Sequence, residues 1–187
     1  MKWLTSFCLI SDNELMNQVK SGDTDKLGLL YERHKKGLFG YFFKLTYGDH
    51  QASEDLVHNV FYRALKYKHN FKGDGSFIAW IFTIAHNVGQ DYHKRKQHNP
   101  SLEIPPFMVN SLSANPDDII RNEEIKLLRV ALKDLRFEDR EVLILGKINE
   151  LSYKEIGEII SCSEGAVKVR IHRAISSLRK AYLELVK

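Results

Sequence analysis

Lys168, Val169, Arg170, His172 and Arg173 span six residues near the C-terminus. On a helical wheel of about 100° per residue, Val167, Ile171, Ala174 and Leu178 fall on one face. Lys168, Val169, His172, Arg173 and Ser176 fall on the other. From Gly165 onward there are six Lys/Arg and a single acid, Glu184. Guanidinium and ammonium groups neutralise phosphates, and an arginine can grip a guanine edge with two hydrogen bonds. An aliphatic tip such as Val169 suits a thymine methyl. The helix dipole alone favours cations near a helix C-terminus, which accounts for Arg179, Lys180 and Lys187. It does not account for Lys168, Arg170 and Arg173, which lie in the first half of the helix.

A second group of polar side chains lies on a helix predicted to run from about residue 77 to 96. Phe77, Ile81, Ile84, Ala85, Val88 and Tyr92 form its apolar face, with Trp80 at the border. Thr83, Asn87, Gln90, Asp91 and Lys94 lie on or near the opposite side. Asn87 can hydrogen-bond a base edge, and Lys94, Arg95 and Lys96 can hold phosphates. The preceding loop carries Phe71, Lys72, Gly73 and Gly75, and its glycines let the backbone approach a ligand closely.

Other chemistries find little support. His86 and His93 are seven residues apart, but no neighbouring carboxylate completes a metal set, so they read as scattered surface histidines. Cys162 reads as a small apolar residue, with no support for a redox role. There is no glycine-rich phosphate loop, nucleophile elbow or catalytic carboxylate pair. Neither an active site, a metal, a cofactor nor a small-molecule substrate is expected.

The elements that must position these residues are helical throughout. The 187 residues are 43% hydrophobic and 28% charged, the proportions of an ordinary folded protein. No apolar stretch reaches the ~20 residues of a membrane span. The first ten residues only faintly resemble a signal peptide, and two cysteines point to a reducing, cytoplasmic setting. All four prolines fall between residues 100 and 116, so residues 98–120 read as a flexible linker. The expected fold is all-α, with two small helical domains over residues 11–97 and 121–187.

Four helices are expected in the first domain, starting near residues 11, 24, 51 and 77. In the third, Leu56, Val57, Val60, Phe61, Ala64 and Leu65 form the buried face. Asp55, His58, Asn59, Tyr62 and Lys66 face outward. The second domain starts with a helix from about residue 116 to 135, then one over 138–147. Ser152 caps a short helix, residues 161–163 make a tight turn, and Ser163 caps the long basic helix. That is helix-turn-helix spacing. The formal net charge of +4 divides into +1 over residues 1–120 and +3 over 121–187.

In the second domain, residues 139–143 (DREVL), 151–157 (LSYKEIG) and 165–174 (GAVKVRIHRA) resemble the winged-helix-like sigma domain 4, which reads the −35 promoter element. Residues 54–57 (EDLV), 61–64 (FYRA), 77–81 (FIAWI) and 84–87 (IAHN) resemble sigma domain 2. Their order and the linker match the extracytoplasmic-function (ECF) sigma factors of the sigma-70 family. The resemblance implies a bacterial cytoplasmic factor that binds core RNA polymerase and promoter DNA and starts transcription. It assigns −35 contacts to Lys168, Val169, Arg170, His172 and Arg173. It assigns −10 contacts to Phe71, Lys72, Asn87, Gln90, Lys94 and Arg95. It places the clamp of the largest polymerase subunit against Asp55, His58, Asn59 and Tyr62, although the family usually has Gln and Glu where this chain has His58 and Asn59. An anti-sigma factor, possibly membrane-bound, is the further expected partner. The linker acids Glu103, Asp117 and Asp118 are expected to mimic nucleic-acid charge.

Overall fold

A computed structural model describes residues 10–73, 75–98 and 116–186, with side chains in the last stretch from residue 123. Most of the predicted linker, including Glu103, lies outside the described residues, as do the side chains of Asp117 and Asp118. All regular elements among the described residues are helical. They are α1 (Asp12–Lys20), α2 (Lys26–Leu45), α3 (His50–Lys66), α4 (Phe77–His98), α5 (Pro116–Asp134), α6 (Phe137–Lys147), α7 (Tyr153–Ile159) and α8 (Glu164–Leu185). A single 3-10 turn, Lys68–Asn70, follows α3.

Local signals set the helix starts. Ser11 and Glu14 form a reciprocal capping box on α1, and Ser152 and Glu155 form another on α7. Asp49 caps α3 by accepting the Ala52 amide at 2.9 Å. The four helices of the first domain enclose Leu15, Met16, Val19, Leu30, Leu38, Phe42, Val60, Ala64, Ile81, Ala85 and Val88. Each large apolar side chain buried this completely contributes about 2 kcal/mol. Leu65 departs from the predicted face. It is 38% exposed, at an edge of α3 beyond the reach of the core.

The tether reading left the two domains independent, but they pack together. α6 lies against α2, and α7 lies against α4. Glu141 of α6 is 1% exposed, and its Oε1 accepts the Tyr41 hydroxyl of α2 at 2.5 Å. The same oxygen lies 2.7 Å from His86 Nδ1 on α4. Burial holds the Tyr41 phenol well above its ordinary value, and the adjacent Glu141 charge adds to the rise. Tyr41 therefore remains a proton donor.

Further side-chain contacts join the two domains. The Phe137 ring stacks on His93 with centroids 4.5 Å apart. The buried Arg140 guanidinium sits 4.4 Å over the Tyr47 ring and donates to the Tyr47 hydroxyl at 2.6 Å. Asn149 donates to the Gly37 carbonyl at 3.0 Å. His86 and His93 are therefore not scattered surface histidines. Both are partly buried against the second domain, because α4 carries a second packed face besides its core face.

Candidate nucleic-acid and partner interfaces

The helix-turn-helix is built by a close backbone approach. A Cβ on Gly157 would lie 2.6 Å from the Cys162 carbonyl oxygen, closer than real Cβ contacts allow. The Cys162 amide in turn donates to the Gly157 carbonyl at 2.9 Å. Ser161 takes a left-handed φ of 54° to close the turn. Ser163 then caps α8 by accepting the Ala166 amide at 3.2 Å. Cys162 is partly buried and packs against the core.

α8 seats Val167, Ile171 and Ala174 against α6 and α7. Lys168, Val169, His172 and Arg173 are all exposed, and Arg170 is half-exposed. Val169 has 50% of its surface in solvent and is free to make an apolar contact. Lys168 pairs with Glu164 at 3.0 Å and lies over the Tyr153 ring. Each predicted −35 residue therefore sits on or beside the outward face. Opposite that face, the helix is clamped by its apolar stripe.

The predicted −10 group divides differently. Asn87, Lys94, Arg95 and Lys72 are exposed, and Gln90 is half-buried. Phe71 is a correction. It is 2% exposed and packs edge-on against Trp80 (5.3 Å) and Phe77 (6.2 Å). Its ring anchors the loop in the core and presents no face to a base. Trp80 is partly buried and borders an open cleft of about 240 Å³ with Lys72, Gly73, Ser76 and Thr83. Residue 74 of this loop lies outside the described residues.

Sequence reasoning missed the part α1 plays here. Asn13 donates to the Gly75 carbonyl at 2.7 Å and accepts the Phe77 amide at 2.9 Å. It thereby ties the loop end to the start of α4. Lys20 donates to the Phe71 carbonyl at 2.7 Å. Gly73 takes φ of 82°, and a Cβ there would press on Asn17. A polar residue on the outer turn of a helix gives no sequence signal that its partner lies 62 residues away.

The third face lies on α3. Asp55 and His58 are exposed, and Tyr62 is 65% exposed. Asn59 is another correction. It is only half-exposed, and its Oδ1 is buried without a partner, so it is not a plain outward contact. His58 stacks on Tyr31 at 5.8 Å, beside a groove also lined by Lys35, Phe39 and His50. Among the described residues, no cluster of three or more His, Cys, Asp or Glu is placed to hold a metal ion. No described helix is long and apolar enough to cross a membrane.

Comparison with known proteins accounts for both halves. The sigma-70 region 2 family matches residues 30–99, and the sigma-70 region 4 family matches residues 125–178. The chain is 30% identical to the ECF RNA polymerase sigma factor SigW of Bacillus subtilis (strain 168) over 181 residues, covering 91% of this chain and 96% of that one. It is 30% identical to the RNA polymerase sigma factor YlaC of the same organism, over 83% and 91% of the two chains. It is 29% identical to the RNA polymerase sigma factor CarQ of Myxococcus xanthus, over 91% and 97%. The fold is similar to CnrH solved in complex with the cytosolic domain of CnrY, with TM-score 0.68, 24% identity and coverage of 94% and 99%. It is also similar to the sigma factor RpoE in complex with the anti-sigma factor NepR from Bartonella quintana, with TM-score 0.58, 22% identity and coverage of 81% and 95%. With two sigma-70 regions in order along a chain that matches whole sigma factors, this protein belongs to the ECF group of the sigma-70 family, the alternative sigma factors of transcription initiation.

Proposed function

We propose that this sigma factor divides promoter recognition between two exposed surfaces. Lys168, Val169, Arg170, His172 and Arg173 read the −35 element in duplex form. Asn87, Gln90, Lys94, Arg95 and Lys72 hold the opened −10 strand, with Phe71 supporting the loop from within. The observation that carries this reading is the outward basic face of α8 on a capped helix-turn-helix. A helix so braced enters a major groove, and its cations displace counterions from phosphates.

Asp55, His58 and Tyr62, flanked by half-exposed Asn59, form the polymerase-facing side of domain 2. This face is a broad helical surface suited to a helical partner. Residues 11–97 and 121–187 act as the two functional domains and 98–120 as their connection. The protein works in the bacterial cytoplasm, performs no chemistry of its own and is restrained by an anti-sigma factor, as RpoE is bound by NepR.

The test is initiation in vitro with core RNA polymerase on a promoter library. Stimulated initiation is expected, and Asn87→Ala should impair promoter opening while leaving polymerase binding intact. Folded protein that never stimulates initiation, or that binds duplex DNA tightly without polymerase, would refute the reading.

A further inference from the structure

α1 carries a polar stripe beside its buried one. Leu15, Met16 and Val19 are fully buried in the core of the first domain. Asn13, Asn17 and Lys20 are spaced i, i+4 and i+7, so they share a neighbouring face of the same helix. All three meet the chain that leads into α4. The Lys20 ammonium donates to the Phe71 carbonyl at 2.7 Å. The Asn17 amide lies against Gly73, where a Cβ would come within 3.2 Å of its Oδ1. Asn13 donates to the Gly75 carbonyl at 2.7 Å and accepts the Phe77 amide at 2.9 Å. The contacts run in order, from the end of α1 at Phe71 to its start at Phe77.

α1 is itself firmly seated. Asp12 accepts from Arg33 Nη1 at 2.6 Å and lies 2.7 Å from His34 Nε2, both on α2. Lys68, in the 3-10 turn, donates to the Val19 carbonyl at 3.1 Å. The polar stripe is therefore a fixed edge.

Every hydrogen bond from this stripe to the loop goes to main chain. Such bonds set the path of the backbone and leave the loop side chains free. The Phe77 amide is one of the orphan donors at the start of α4, and a side chain of α1 satisfies it. Gly73 and Gly75 would otherwise leave this stretch many conformations. A path fixed in advance spares a ligand the entropy of ordering it. The chain held in this way forms one wall of the cleft beside Trp80 and Thr83.

We propose that Asn13, Asn17 and Lys20 are positioning residues for capture of a −10 nucleotide. They act on the main chain of the cleft wall rather than on a base, so they set affinity for the captured nucleotide without choosing its identity. This inference rests on the reading that α4 and the chain before it hold the opened −10 strand.

The test uses the full-length protein bound to core RNA polymerase. The probe is a fluorescein-labelled nontemplate strand carrying the −10 element of a promoter recovered from the library. An abasic scan of that strand first locates the captured nucleotide. Its removal should weaken binding by the parent about tenfold, the scale of one lost base-stacking contact. Asn13→Ala removes both polar groups, and Lys20→Met removes the ammonium but keeps the aliphatic stem. Each should weaken binding of the intact strand about tenfold, through the cost of ordering a loosened loop. Each should bind polymerase as the parent does, and make no further difference on the strand abasic at the captured position. Lys20→Arg still offers a donor to the Phe71 carbonyl and should bind like the parent.

Equal losses on the intact and abasic strands would mark a general destabilisation and overturn the proposal. So would parental affinity in Lys20→Met, a change at a half-exposed side chain that leaves the core untouched. A parent that binds the intact strand and every abasic strand equally would instead refute the −10 reading, and this inference with it.

Discussion

Replacing Gly157 with alanine tests whether the turn geometry sets the −35 surface. Alanine in a helix interior ordinarily gains about 1 kcal/mol over glycine. At residue 157 the new Cβ would meet the Cys162 carbonyl oxygen at 2.6 Å. Relief to an ordinary contact of at least about 3.4 Å requires a shift of about 0.8 Å or more. The obstacle is backbone, so no side chain can rotate away. The Cys162 amide also donates to the Gly157 carbonyl, which ties both sides of the turn. Overpacking of this kind costs up to ~3 kcal/mol. After the helix-propensity gain, the net loss is about 2 kcal/mol, a roughly thirtyfold fall in the folding equilibrium of domain 4.

Gly40, in the interior of α2, is the control. A Cβ there would meet nothing within 4 Å. Gly40→Ala should therefore stabilise by up to about 1 kcal/mol. Urea unfolding followed by circular dichroism measures both. The shift of Cys162 should also move Ser163 and the start of α8, lowering −35-dependent initiation more than polymerase binding. If Gly157→Ala stabilised the protein as much as Gly40→Ala does, the close-approach argument would be wrong.

Three further outcomes are expected. Arg173→Ala removes an exposed cation from α8 and should weaken −35 binding by the polymerase complex about tenfold, the lower end of a lost bidentate base contact. Unchanged affinity in a filter or fluorescence assay would remove Arg173 from the interface. Ser161→Gly relieves the φ of 54° in the turn and should raise stability by up to about 1 kcal/mol in urea titrations, whereas a loss would show that the serine side chain holds the turn. Burial beneath Phe137 lowers the His93 pKa from its ordinary 6.5, Arg140 lowers it further, and Glu138 opposes them. The neutral ring is thus favoured in the folded state, so its contribution is complete above pH 6.5 and fades as pH falls below that value. The His86 and Glu141 contact crosses the same domain interface, so the readout is the difference made by His93→Gln. That variant should show a smaller drop in melting temperature between pH 7.5 and 5.5, and an identical drop would refute the assignment.

Helix periodicity and caps are local, which is why Ser11, Ser152 and Ser163 announced their helices in the sequence. The stripe of Val167, Ile171 and Ala174 likewise placed Lys168, Val169, His172 and Arg173 outward, because on a helix the buried face fixes the exposed one. The motif order alone was enough to indicate the sigma-70 family and its two regions. Phe71 was misread because an aromatic residue in a loop has the same sequence signature whether it faces solvent or anchors the loop beneath. Asn59 lies on the border of its helical face, and only the packing of α3 decided that its oxygen is buried. Asn13 ties Gly75 to the start of α4, and Glu158 borders the cleft beside Trp80, each from a helix distant in sequence. Glu141 reads as one acid in a charged run until tertiary structure sets it between Tyr41 and His86. Periodicity reports which face of a helix is buried. It does not report what covers the other face, because that depends on how the two domains meet.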